Sequence, residues 1–135
     1  MSNLNAFLNP VAPEQRREVM VSNRFLGEDG APVPFVIRPL SQGENETLLR
    51  RSTHTVKNKG QLTEKLNDIE YNRRLVVAAT VEPDFADGTL CQKLGVMDPL
   101  EAPGKLLLVG EYNRLAAAIM ELSGLNDDLE EQAKN

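Results

Sequence analysis

Five apolar side chains near the end of the sequence follow one another at intervals of four, three, four and three residues. This spacing places them along one side of an α-helix, which completes a turn about every 3.6 residues. The five are Leu108, Tyr112, Leu115, Ile119 and Leu122. Gly110 weakens the start of this helix and Gly124 ends it. The pattern predicts a long helix that must bury one side against the rest of the chain or against a partner.

The composition limits what else such a helix can pack against. Aromatic residues make up 4% of the 135 residues and Trp is absent, so aliphatic side chains must fill the core. This favours helices over an aromatic-rich β-sandwich, and it argues against a platform on which nucleic-acid bases stack. No apolar run is long enough for a signal peptide or a membrane span, so we expect no membrane partner.

The N-terminal third predicts an arm followed by a β-hairpin. Residues 1–17 form the arm, which carries one apolar pair, Phe7 and Leu8. Alternating apolar residues over 18–26 and 31–38 predict two strands, and the glycine-containing segment 27–30 predicts the turn between them. Pro34 has no amide hydrogen to donate, so we expect the second strand to lie at a sheet edge unless another segment covers it.

Capping signals mark the helices that follow. Ser41 and Glu44 form a predicted capping box that opens a helix extending to about Thr53. Residues 52–61 show no apolar periodicity and are predicted to form a mobile loop. A second helix is predicted over 63–80, where Leu62, Leu66, Ile69, Val76 and Val77 approximate one stripe.

Two shorter helical segments are predicted before the last helix. Asp87 caps the first, which contains Cys91 and ends at Gly95 in the left-handed conformation. Asp98, with Pro99 after it, opens the second. The fold class is therefore α+β, an N-terminal β-hairpin followed by a mainly α-helical bundle of four to five helices. We expect a single domain over 18–125 and an acidic C-terminal tail over 126–135.

The sequence predicts no catalytic, metal-binding or cofactor-binding residues. Cys91 is the only thiol and His54 the only imidazole, and nothing in the sequence brings them together. One Cys and one His cannot build a four-ligand zinc site, and the glycine patterns that hold phosphates are absent. Asp84 and Asp87 have the spacing of a helix-start turn, so capping is their expected role. We therefore expect a binding or assembly protein and not an enzyme.

Charge is unevenly distributed along the chain. The net charge is −5, from 15 basic and 20 acidic residues. Four basic residues, Arg50, Arg51, Lys57 and Lys59, nevertheless fall within residues 50–59 without an acidic one. They are interleaved with polar residues and lack an aromatic neighbour, so a solvated loop is the simpler interpretation and nucleic-acid binding is not expected.

An ordered set of short motifs resembles the phage tail assembly chaperones that are encoded beside the tape measure gene in long-tailed phages and tail-like prophage elements. The motifs run from the arm to the last helix. They are Phe7-Leu8-Asn9, Val21-Ser22-Asn23-Arg24-Phe25, Phe35-Val36-Ile37-Arg38-Pro39-Leu40, Tyr71, Val81-Glu82-Pro83-Asp84-Phe85, Leu90-Cys91-Gln92-Lys93-Leu94-Gly95-Val96 and Gly110-Glu111-Tyr112-Asn113-Arg114-Leu115. Two positions differ from the expected pattern, because the chain has no Trp and because Leu94 precedes Gly95 where an aromatic residue is expected.

The resemblance implies a role and no active site. A chaperone of this kind binds the tape measure protein, keeps it soluble before the tail tube polymerises around it, and then leaves. The major tail tube protein, which displaces it, is a further possible partner. The resemblance places the protein in the host bacterial cytoplasm and not in the mature virion. Self-association is also compatible with the predicted edge strand and the apolar helix side.

Under this hypothesis the expected contact surfaces are the apolar side of the last helix and the hairpin edge. Their residues are Phe35, Tyr112, Leu115, Ile119 and Leu122. The alternative is that all five residues belong to the hydrophobic core. Two other functions also stay open: a structural tail or head-completion protein retained in the virion, and a small regulator that binds nucleic acid through residues 50–59.

Overall fold

The computed structural model describes residues 3–125, and the predicted acidic tail over 126–135 lies outside them. An α+β fold is confirmed. A 3₁₀ turn spans Pro99–Glu101. The strands are β1 (Arg17–Val19), β2 (Phe35–Ile37), β3 (Thr53–Asn58), β4 (Gln61–Leu66) and β5 (Thr80–Glu82). The helices are α1 (Leu4–Leu8), α2 (Gln42–Arg51), α3 (Asp68–Ala79), α4 (Gly88–Leu94), α5 (Ala102–Leu106) and α6 (Val109–Leu122).

Three short strands form an antiparallel sheet in the order β1-β2-β5. In the first pair, Arg17 lies opposite Ile37 and Val19 lies opposite Phe35. The second strand is not a sheet edge, because another segment covers it, as the prediction allowed: β5 pairs with its free side. Pro34 lies just before β2, so its missing amide hydrogen removes no hydrogen bond from the ladder.

The predicted hairpin is confirmed as a strand pair, but most of its predicted length is a loop. Residues 20–34 connect β1 to β2, and the turn forms where it was predicted, with the Gly27 amide donating to the carbonyl of Ala31. A single bridge joins Leu26 to Pro32 beside it. Val33, which alternation placed on the buried side with Phe35, is instead 44% exposed.

The segment predicted as a mobile loop forms a second hairpin. Strands β3 and β4 pair in unbroken antiparallel register from Thr53 opposite Leu66 to Asn58 opposite Gln61. Lys59 and Gly60 both have positive φ angles, of 52° and 82°, so the two-residue turn follows the right-handed twist of the strands. The predicted helix start at residue 63 is therefore also wrong: α3 begins at Asp68, and the Asn67 side chain caps it by accepting from the Glu70 amide.

The local capping predictions are confirmed. Ser41 and Glu44 form the complete capping box of α2. The Asp87 side chain accepts from the Leu90 amide at the start of α4, and Gly95 ends that helix with a φ of 73°. Asp98 caps the 3₁₀ turn in the same way.

One hydrophobic core joins the three-stranded sheet to the helices. The last helix contributes Leu115 and Ile119, which are fully buried together with Ile37 of β2 and Leu75 of α3. Phe85, in the turn before α4, is also fully buried. The aliphatic filling that the composition predicts is therefore what holds sheet and helices together.

An ion pair fastens the 20–34 loop to the N-terminus of α6. The Arg24 guanidinium donates from Nε and an Nη atom to the two oxygens of Glu111, at 2.9 and 2.5 Å. The Leu108 amide donates to the same carboxylate at 2.7 Å. The hydrogen bonds from Arg24, Ser22 and Leu108 lower the pKa of Glu111 to about 2.

Replacement of a core residue of α6 should destabilise the whole domain. Leu115→Ala removes a fully buried side chain and should lower the free energy of unfolding by about 2–5 kcal/mol. The matched control is Leu122→Ala, which truncates a half-buried leucine of the same helix and should cost less. Urea unfolding followed by circular dichroism measures both, and equal losses would contradict the assignment of Leu115 to the core.

The Glu111 carboxylate should make stability depend on pH in a defined range. Its pKa is lower in the folded chain than the ordinary 4.5, so its stabilisation is complete above about pH 5 and is lost as pH falls towards about 2. The difference in unfolding free energy between the wild type and Glu111→Gln should therefore be constant near neutral pH and shrink between these limits. A difference that does not change from pH 7 to pH 2.5 would contradict this.

Candidate partner-binding surface

Three of the five predicted contact residues lie inside the fold. Phe35, Leu115 and Ile119 belong to the buried core. A folded chain cannot present them to a partner, so the core alternative applies to these three. Tyr112 and Leu122 are half-buried and keep part of their surface accessible.

Tyr112 lines an open groove between α3 and α6. Its hydroxyl donates to the side-chain oxygen of Asn72 at 2.5 Å, which fixes the ring against α3. Burial of the ring raises the pKa of Tyr112, so the phenol stays neutral. The groove has a volume of about 400 Å³ and is mainly apolar, with Ile69, Arg73 and Gly104 among its other lining residues.

A second groove lies on the other side of Ile69. It has a volume of about 450 Å³ and is formed where the β3–β4 hairpin meets the start of α3. His54, Val56, Lys65 and Leu66 line it together with Ile69. Ile69 is 68% exposed and stands between the two grooves. We call the two grooves and the isoleucine that separates them the Ile69 surface.

The Ile69 surface is more basic than the chain as a whole. Lys65 and Arg73 line it, against one carboxylate, that of Asp68. His54 also lines it, and its Nε2 atom lies 2.7 Å from Oε2 of Glu70. In a chain of net charge −5, this surface suits a partner that combines apolar side chains with acidic ones.

The basic residues of segment 50–59 do not form a single loop. Arg50 and Arg51 occupy the last turn of α2, whereas Lys57 and Lys59 lie at the far end of the second hairpin. The regular elements therefore separate two pairs of charges that are close in sequence.

The thiol and carboxylate groups that could support catalysis make structural hydrogen bonds. Cys91 is buried and its Sγ donates to the carbonyl of Phe85 at 3.1 Å. Asp87 accepts from the Leu90 amide and caps α4 as predicted, whereas Asp84 accepts from the Ala86 amide within the turn before that helix. Over residues 3–125 no group of three or more His, Cys, Asp or Glu side chains could hold a metal ion. Within the same range, no helix is both long and apolar enough to cross a membrane.

The Ile69 surface is not predicted from the sequence because the second hairpin is not. Leu62, Leu66 and Ile69 are spaced as on a helix, and that spacing assigned Ile69 to a buried stripe. The signal that could have corrected this is the Lys59-Gly60 turn between two stretches of six residues with polar side chains at most positions.

A family profile and a curated relative indicate one family for this chain. The sequence profile of the phage XkdN-like tail assembly chaperone proteins matches residues 4–135. The chain is 31% identical to the phage-like element PBSX protein XkdN of Bacillus subtilis over 87% of its own length and 83% of the relative's. The uncharacterized protein YqbN of the same organism is 33% identical over the same shares of the two chains.

The fold agrees with a solved structure. The crystal structure of the protein YqbN superposes with a TM-score of 0.74 at 25% identity, over 88% of this chain and 94% of that one. The family match spans the sheet, both hairpins and all of the helices described above. The chain therefore belongs to the XkdN-like family of phage tail assembly chaperones.

Proposed function

We propose that this chain binds the tape measure protein of its phage or prophage tail and keeps it soluble until the tail tube assembles. Binding takes place in the host cytoplasm, and the chaperone is absent from the finished particle. The major tail tube protein displaces it. Family membership supports the general role, and the Ile69 surface is the observation that supports binding of a client chain.

The Ile69 surface offers apolar groups to an amphipathic helix. Val56 and Leu66 line one groove and Tyr112 lines the other, so accessible apolar groups continue across Ile69. A helix laid over Ile69 could place one apolar side chain in each groove. The nearby Lys65 and Arg73 favour a helix that also carries acidic residues.

The modest size of this surface suits a chaperone that must leave. Burial of one large aliphatic side chain stabilises a complex by about 1.5–3 kcal/mol, so each copy holds the client weakly. Several copies bound along one long client would hold it firmly in total, while each copy remains replaceable. A tube subunit then has to displace only one weak contact at a time.

The Ile69→Asp variant should separate client binding from folding. The substitution removes the exposed apolar group at the second residue of α3, where an acidic side chain is favourable for the helix. The variant should therefore fold like the wild type. When it is co-expressed with the tape measure protein, the soluble client that co-purifies should fall by about tenfold or more.

Met97→Asp is the matched control, because Met97 is fully exposed and lines neither groove. It should keep the client as soluble as the wild type does. A folded Ile69→Asp variant that rescues the client as well as the control would exclude the Ile69 surface. A wild-type chain that neither binds nor solubilises the tape measure protein would end the proposal itself.

The composition of purified particles tests the second part of the proposal. A chaperone that leaves before the tube closes should be absent from tails or particles and present in the lysate of the producing cell. Quantitative mass spectrometry measures both fractions, with the major tail tube protein as the internal standard. A fixed number of copies per particle would instead support a structural tail or head-completion protein.

A further inference from the structure

An apolar cleft lies at the end of the three-stranded sheet, away from the Ile69 surface. Its volume is about 410 Å³, and Glu82 is the one charged residue among the described residues that line it. The two sites have no lining residue in common. The apolar walls of the cleft include Phe25, Val33, Pro34, Pro83, Leu90 and Leu106.

The N-terminal arm presents apolar side chains of the kind that such a cleft accepts. Residues 3–13 contain no charged side chain. Phe7 in α1 is 79% exposed, and Leu8 and Val11 are exposed as well. An aromatic and two aliphatic side chains within five residues, held in solvent, are typical of a segment that docks on another surface.

The path of the arm leads away from the cleft of the same chain. The arm joins the sheet at Arg17, opposite Ile37, whereas the cleft lies at the Phe35 end of β2 beside Pro83. Arg17 is tied to Glu14 at 2.6 Å and to Glu121 at 3.5 Å. Residues 13–16 border Pro39 and Leu122, beyond the Ile37 end of the sheet.

We propose that the arm of one copy docks in the cleft of a second copy, with Phe7 and Leu8 as the inserted side chains. In a symmetric pair both arms exchange in the same way. Phe7 and Leu8 expose on the order of 300 Å² per arm, so the two arms of a pair bury roughly 600 Å² of their own surface. An area of this order is typical of a weak, reversible contact.

The exchange leaves the client surface free. Neither the arm nor the cleft contributes to the Ile69 surface, so a pair of chaperones could bind two segments of one client. The sequence makes self-association compatible with contacts through an edge strand and the apolar side of α6. The structure instead points to the arm, because the second strand is covered and Leu115 and Ile119, at the centre of the apolar side of α6, are buried.

Sedimentation equilibrium of the full-length chain tests the proposal. The wild type should associate reversibly with rising concentration. Phe7→Asp, which impairs the arm, and Val33→Asp, which impairs the cleft, should each weaken association at least tenfold while circular dichroism shows a folded chain. Leu62→Asp is the matched control, because Leu62 is exposed and belongs to neither surface, and it should associate like the wild type.

An equimolar mixture of the two impaired variants provides the decisive measurement. The Val33→Asp chain keeps its arm and the Phe7→Asp chain keeps its cleft, so one arm can still dock in each mixed pair. The mixture should associate at least tenfold more tightly than either variant alone.

Three results would overturn the proposal. They are a wild type that stays monomeric at hundreds of micromolar, association that survives both substitutions, and a mixture no tighter than its components. If the wild type is monomeric and the Phe7→Asp variant binds the client less tightly, the arm serves the client and the proposed exchange is wrong.

Discussion

Burial of one side of α6 is the interaction on which the rest of the structure depends. Leu115 and Ile119 fill the space between the sheet and α3, and both are fully enclosed. Polar contacts then hold the N-terminal segments in place around the helix: Arg24 binds Glu111, and Arg114 Nε donates to the carbonyl of Val21 at 3.0 Å. Tyr112, where α6 meets α3, keeps part of its surface accessible and lines a groove there.

The features that could be predicted from the sequence are those set by neighbouring residues. The Ser41 capping box, the Asp87 cap and the left-handed Gly95 each depend on contacts within a few positions, so sequence spacing is enough to find them. Strand β5 depends on pairing with β2, which is distant in sequence. The second hairpin depends on a two-residue turn, and its strands lack an apolar face that would reveal them. The Ile69 surface is made where that hairpin meets α3, so it was missed with the hairpin.

Several of the motifs that carried the family resemblance are contacts of the fold. Arg24 and Glu111 belong to two motifs far apart in sequence, and the structure joins them as an ion pair. Phe85 and Cys91 belong to two others, and the thiol donates to the phenylalanine carbonyl. Such motifs identify a family because they keep its shape. They could not indicate Ile69, the proposed client contact, which lies in none of them.

The regular pairing of β3 with β4 restricts how this hairpin can vary in length. Side chains alternate between the two faces of a strand, so His54 and Val56 line the groove together. An insertion of one residue near Thr53 would turn the following side chains to the opposite face. Relatives should therefore lengthen or shorten the hairpin at its tip by pairs of residues, one in each strand, and each pair changes its reach by about 3.4 Å. Such a chaperone could adjust its span along a client without rebuilding the groove at its base.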